Sequence, residues 1–273
     1  MVFVFYELIA QGLVVNLRVF KERTYSIGVF LMTLLGFALY GSLVLLPIFL
    51  QTLLGYPALQ AGLAMAPRGL GSFLAMPVVG FLTSKVDPRK LIGTGLISAA
   101  FTLIWLSRLN LNAGFWDIFW PQAIQGMSLG LLFVPLTTVS MDAIQRENMG
   151  NATSLFNLMR NIGGGFGIAA VTTLLARSQQ RVIHLLGAHI NSYDLGSQRM
   201  LENLRKGIAS QGVDSFSAGR RAYAVLFGII QRQAAMISFN TVFLFLGAAF
   251  LVVVPFVPFM ERPKRGAGPR AVH

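Results

Sequence analysis

The sequence predicts an all-α membrane protein with six transmembrane helices, and three observations point there together. Of the 273 residues 55% are hydrophobic and only 12% are charged, where an ordinary globular domain carries about 25% charged residues. Six runs of mainly apolar residues are long enough to cross the ~30 Å of a hydrocarbon core. The charges gather in knots between those runs, as in GFLTSKVDPRK from Gly80 to Lys90. A soluble surface would scatter them.

The elements follow in chain order. MVFVFY is too short to span a bilayer, has no leading positive charge and runs into Glu7, so residues 1–25 read as the end of a preceding helix and a cytoplasmic connection rather than a signal peptide. Spans are predicted at 26–50, 60–82, 90–107, 116–140 and 154–176, with a sixth at 234–258. Between the last two, residues 177–233 read as a long extracytoplasmic loop. Within it Met200, Leu201, Leu204 and Ile208 share a helical face, and YAVLFGII at 223–230 is separated from the last span by Arg232. Short helices on the outer membrane surface are the simpler reading of this loop, and a binding lid is the sharper one. Residues 259–273 form a basic tail.

Orientation follows from Lys and Arg in the short loops, which are retained on the cytoplasmic side. Arg18, Lys21, Arg23, Lys85, Arg89, Lys90 and Arg146 fall on one side together with Arg262, Lys264, Arg265 and Arg270. The short loops opposite contribute only Arg108, so both termini are expected in the cytoplasm. The net charge of +12 therefore speaks for anionic lipid headgroups as partner and not for nucleic acid, since no basic stripe interleaved with aromatics occurs.

Composition also excludes chemistry. Without cysteine there is no disulfide, thiolate metal site or cysteine nucleophile. His184 and His189 lie on different helical faces with no Glu to complete a metal set, and no Gly-Lys-Ser/Thr loop is present to hold a nucleotide. Neither an enzyme nor a cofactor is expected.

Six spans divide into 26–107 and 116–258, three in each part, as in transporters built from inverted three-helix repeats. No repeat is visible residue by residue, so the division rests on span count. Three stretches then carry a resemblance: AGLAMAPRGLGSFLAMPVVGFLTSKVDPRKLIGTG, WPQAIQGMSLGLLFVPLTT at 120–138 and ATSLFNLMRNIGGGFG at 152–167. In order and spacing they resemble the C-terminal half of the major facilitator superfamily's EmrB/QacA-type fourteen-helix drug:proton antiporters. The resemblance implies a six-helix half of that fold with 3+3 inverted repeats, in the cytoplasmic (inner) membrane of a bacterium. It further implies small hydrophobic substrates, alternating access, and as partners an N-terminal half or a second copy of the chain, with a periplasmic adaptor protein.

Candidate site residues come from polar groups inside the spans, which are costly in hydrocarbon and normally face protein or a water-filled cavity. Gln122 and Gln125 share one face of the fourth span, and Asn157, Arg160 and Asn161 one face of the fifth. The two faces are expected to meet in a common cavity, with interhelical hydrogen bonding as the plainer alternative for the amides. Arg68 follows Pro67 and precedes Gly69; it either satisfies carbonyls freed by a broken helix or snorkels to the outer interface. Gly126 with Gly130, and Gly163 with Gly167, read as helix-packing pairs, and Pro47, Pro77 and Pro135 as bends.

In the loop of residues 80–90, Gly80 is expected to let two helices approach, Asp87 to pair with an arginine or cap the next helix, and Arg89 and Lys90 to meet anionic headgroups. The resemblance implies that this loop latches the cytoplasmic side, although Pro88 and Ser84 depart from the stronger form of the motif. A plain positive-inside loop is the alternative.

None of the ten acids lies within a span, and Asp117 and Asp142 mark the two ends of the fourth. Proton antiport needs an embedded carboxylate, and the resemblance implies that the coupling carboxylates belong to the family's first half. The expectation is one wall of an exporter's cavity, with coupling supplied by that other half. A non-transporting helical membrane protein, or an inactive truncated gene product, is the alternative.

Overall fold

The computed structural model describes residues 17–142, 144–188, 195–210, 212 and 214–259. The preceding helix end expected before residue 17, His189 and the basic residues of the tail lie outside the described residues. A short 3-10 turn, Leu17–Lys21, leads into α1, Arg23–Ile48. Pro47 cannot donate to the helical ladder, and past it the chain loosens into a π turn, Phe49–Leu53, where the Leu54 amide donates to the Phe49 carbonyl at 3.3 Å. Gly55, at φ 71°, then reverses the chain, a conformation open to glycine at no steric cost.

Next come α2, Ala58–Lys85, α3, Pro88–Leu106, and α4, Phe115–Asp142. Their bounds lie within three residues of the expected spans. Asp87 starts α3: its carboxylate accepts the Arg89 amide at 3.0 Å, and Pro88 occupies the first turn, where no amide is needed.

The long loop expected at 177–233 is a correction. The fifth helix, α5, runs from Met149 to Ala188, and the last, α7, from Ser215 to Val253, with only α6, Leu195–Ala209, and its connectors between them. Hydropathy marks where the bilayer ends, not where a helix ends. Arg177, Gln179, Gln180 and Arg181 are good helix formers, and α5 continues through them. With 40 and 39 residues, α5 and α7 are each about 60 Å long at ~1.5 Å per residue, twice the hydrocarbon thickness.

Nor does Arg232 interrupt the last helix. Its guanidinium donates to the Leu53 carbonyl at 3.3 Å, satisfying a carbonyl left without an intrahelical partner at the end of the π turn. On α6, Leu201, Leu204 and Ile208 are half-buried while Met200 is exposed, and the helix packs on α7.

Packing is in two layers. In the front layer α5 packs on α1, α1 touches α4, and α4 packs on α2; behind it α7 and α3 pack together, with α7 against α5 and α1 and α3 against α4. Tyr25 donates to the Ala152 carbonyl at 2.8 Å, Arg89 to the Pro258 carbonyl at 3.4 Å, and Phe30 meets Phe256 edge to face. These contacts gather the starts of α1, α3 and α5 and the end of α7 at one end of the bundle. Lys21, Arg23, Lys85, Arg89, Lys90 and Arg146 sit at that same end.

The front layer also reveals the internal repeat that the sequence hides. A Cβ on Gly126 of α4 would fall on the Arg68 carbonyl of α2, and one on Gly71 would fall on the Ala123 carbonyl. In the other half of the layer, a Cβ on Gly36 of α1 would fall on the Arg160 carbonyl of α5, and one on Gly163 on the Thr33 carbonyl. Each seam therefore joins the first helix of one triplet to the second helix of the other. Each uses an Arg and a Gly three residues apart on one side, and on the other a glycine three residues past a small residue. Close backbone approach of this kind is what small residues permit between membrane helices.

Candidate functional site

The polar residues of the spans do not converge on one point. Gln122 and Gln125 are fully buried beside the α2–α4 seam, and the Gln122 side-chain amide donates to the Gln125 carbonyl oxygen at 3.3 Å. The Gln122 carbonyl oxygen is buried without a partner among the described residues. Asn157 and Arg160 are half-buried and Asn161 exposed on α5, at the other end of the front layer. The common cavity expected from these two faces is thus corrected. Both triplet seams place glycines between neighbouring helices, so α4 turns its glutamines towards α2, while α5 packs on α1 and leaves its asparagines on the open side.

Arg68 is also corrected. Helix α2 runs unbroken through Pro67 and Gly69, and the side chain neither takes up freed carbonyls nor snorkels. It is 6% exposed and donates through one terminal nitrogen, Nη2, to the Ser42 hydroxyl of α1 at 3.2 Å, while Nη1 is buried with no partner among the described residues. Ser42 in turn donates to the Leu39 carbonyl. No described carboxylate lies within ion-pair distance of Arg68; Glu202 does pair with Lys206, at 2.8 Å, but far off on α6. A charge held this way is expensive in low dielectric and marks a place where function or an anionic guest is expected.

Arg160, its counterpart across the repeat, lies nearer the surface. Its guanidinium carbon is 5.8 Å from the centroid of the Phe133 ring of α4, within cation–π range, and its Nε is buried without a partner among the described residues. Asn157 bonds back to its own helix through the Thr153 carbonyl at 3.0 Å, which leaves its side-chain oxygen free to accept. The α5 side of the layer thus carries a cation, two amides and, across from the cation, an aromatic ring.

The loop between α2 and α3 shows one further correction. Gly80 lies inside α2, not in the loop, and nothing approaches within 4 Å of where its Cβ would be. The close approach made by α2 occurs at Gly71 instead. Asp87 caps α3 as described, Arg89 reaches the Pro258 carbonyl in the 3-10 turn, Val254–Phe259, that follows α7, Lys85 lies 4.3 Å from the Phe81 ring centroid, and Lys90 is exposed. Gly130 and Gly167 abut Ala75 and the Phe37 carbonyl. Ser42, Gly36, Gly71 and Phe133 were missed by sequence reasoning. A lone serine or phenylalanine in an apolar run carries no signal, and neither does Gly36 after Thr33; the recurrence of Arg-x-x-Gly at Arg68 and Arg160 could have found Gly71 as the counterpart of Gly163.

Comparison with known proteins bears on what this wall belongs to. Residues 6–168 match the family model of the Major Facilitator Superfamily. The chain is 31% identical over 267 residues to the fatty acid resistance protein FarB of Neisseria gonorrhoeae, covering 97% of this chain and 51% of that protein. It is 31% identical over 265 residues to the multidrug export protein EmrB of Escherichia coli K12, covering 96% and 50%. To the colistin resistance protein EmrB of Acinetobacter baumannii it is 27% identical, covering 92% and 48%. The chain spans about half the length of these relatives.

Proposed function

Because the chain belongs to the major facilitator superfamily, among its EmrB-type drug transporters, we propose that it forms the C-terminal half of a multidrug-type exporter. Its front layer of α5, α1, α4 and α2 is then one wall of a cavity that takes hydrophobic and amphipathic compounds. The observation that supports this reading is the polar face of α5, where Asn161 is exposed, Asn157 and Arg160 are half-buried, and the Arg160 guanidinium carbon lies 5.8 Å from the centroid of the Phe133 ring.

Two matched helix seams give the half its capacity to rock. Helix backbones in contact through glycines slide and tilt with little side-chain rearrangement, so α2 with α4, and α5 with α1, can move as pairs. The end that carries Lys85, Arg89, Lys90 and Arg146 faces the cytoplasm, and Asp87 and Arg89 brace it by fixing the start of α3 against the end of α7. Proton coupling is supplied by carboxylates of a first half, since among the described residues the acids of the membrane-spanning helices stand only near helix ends, as Asp117 and Asp142 do in α4.

The test is export of a fluorescent cationic dye from cells lacking their own exporters, with this chain expressed alone, with a related first half, or not at all. Export only with both halves, lost on Arg160→Ala, is the expected result. Proton-dependent export by the chain alone would refute the assignment of coupling to another half.

A further inference from the structure

Away from the front layer, where α3 turns into α4, a cavity of about 600 Å³ opens at the end of the bundle opposite Lys85 and Arg89. We propose that it binds the headgroup of a zwitterionic phospholipid, phosphoethanolamine, with the acyl chains lying along α3. Its wall changes character with depth. Phe101, Ile104 and Trp105 of α3 form the part nearer the bilayer centre, and Arg108, Asn110 and Asp117 form the part at the aqueous end. A molecule that fits is apolar below and polar above.

The polar end carries one charge of each sign. Arg108 and Asp117 line the same cavity and form no ion pair with each other, so each remains available to an opposite charge. A phosphate beside Arg108 and a primary ammonium beside Asp117 satisfies both at once, whereas a phosphoglycerol headgroup leaves the carboxylate facing a second anion. Asn110 and the carboxylate supply acceptors for the ammonium protons.

Depth is fixed by aromatics. Phe115, Trp116, Phe119 and Trp120 at the start of α4 pack ring on ring, and clusters of this kind sit at the headgroup level of a bilayer. The cavity is also preformed. Asn240 of α7 donates to the Leu109 carbonyl at 3.1 Å, tying the connector to the back layer, and the Gly114 amide donates to Asp117 at 2.9 Å, holding the carboxylate in place.

All three tryptophans of the chain lie in this region, which supplies the probe. The full chain carrying Trp116→Phe and Trp120→Phe, leaving Trp105 as the reporter, is reconstituted in phosphatidylglycerol vesicles. These contain a minor fraction of lipid brominated on its acyl chains, with either an ethanolamine or a glycerol headgroup. Brominated phosphatidylethanolamine should quench Trp105 more strongly, at an enrichment of about fivefold for each charge contact. Arg108→Gln and Asp117→Asn should each lower that preference about fivefold, and Arg108→Lys should keep it. Asp117→Asn retains an oxygen for the Gly114 amide, and the readout is a ratio between two lipids, so a general loss of structure does not imitate the expected change. Equal quenching by the two lipids, or a preference that survives both Arg108→Gln and Asp117→Asn, overturns the proposal.

Discussion

Arg68 and Arg160 occupy matching places in the two triplets, yet one is sealed between helices and the other stands at the open face. The difference lies in what the facing helix offers. Ser42 of α1 gives Arg68 a hydroxyl within 3.2 Å, and Phe133 gives Arg160 the face of a ring. A buried charge with a single neutral acceptor contributes little to folding, and replacing such groups by apolar residues of similar volume is often neutral or stabilising by about 1–4 kcal/mol. Arg68→Met is therefore expected to hold or raise the thermal unfolding temperature of the detergent-purified chain. Ser42→Val removes the acceptor and leaves the charge in place, and should cost about 1–3 kcal/mol in the same measurement. A large loss of stability in Arg68→Met would show that the guanidinium is a structural strut.

Helix seams are the next level of organisation, and there glycine positions separate into two kinds. A methyl group at Gly126 or Gly36 would meet a backbone carbonyl of the neighbouring helix, which cannot move aside alone. Gly126→Ala and Gly36→Ala should each destabilise the bundle by about 1–3 kcal/mol, as overpacking does. Gly80→Ala fills open space and should stabilise α2 by up to about 1 kcal/mol through helix propensity; thermal melts of the three variants side by side decide the matter.

At the aqueous end of α7, Asp214 accepts hydrogen bonds from the Phe216 and Ser217 amides at 3.1 Å. Bonding to the Ser217 side chain first, and then to these amides, holds its carboxyl below the usual carboxylate range. A depressed pKa means the cap is fully present above the ordinary Asp range and is lost as pH falls through the folded value. Protection of the Phe216 and Ser217 amides against hydrogen exchange, taken relative to an unstructured peptide at the same pH, should fall below about pH 4, and Asp214→Ala should abolish that dependence.

At the level of the whole molecule, the helical architecture was largely legible in the sequence. Six apolar runs identify the six helices long and apolar enough to cross a membrane, because the bilayer imposes a length rule on the chain directly. The lengths of α5 and α7 were not legible, since Arg177 and Arg232 end an apolar run without ending a helix. The inverted arrangement was visible only as a count of three and three. Its residue-level form depends on which glycine faces which carbonyl across two helices, a relation that no single stretch of sequence contains. The polar residues were found, but their grouping was not: Gln122 and Asn157 look alike in a hydropathy profile, and only the packing of α4 on α2 and of α5 on α1 sends one inward and leaves the other at the face.

The chain has no cysteine, so a single introduced thiol reports its position without interference. Cysteines placed at Asn157 and Asn161, on the open face of α5, and at the fully buried Leu103 of α3 are expressed with a related first half and treated with a water-soluble maleimide. A cavity wall predicts labelling at Asn157→Cys and Asn161→Cys that slows when an exported dye is present, and no labelling at Leu103→Cys. If the two α5 positions resist the reagent as Leu103→Cys does, or react at a rate the dye does not change, the front layer faces lipid or another helix, and this chain does not line a transport path.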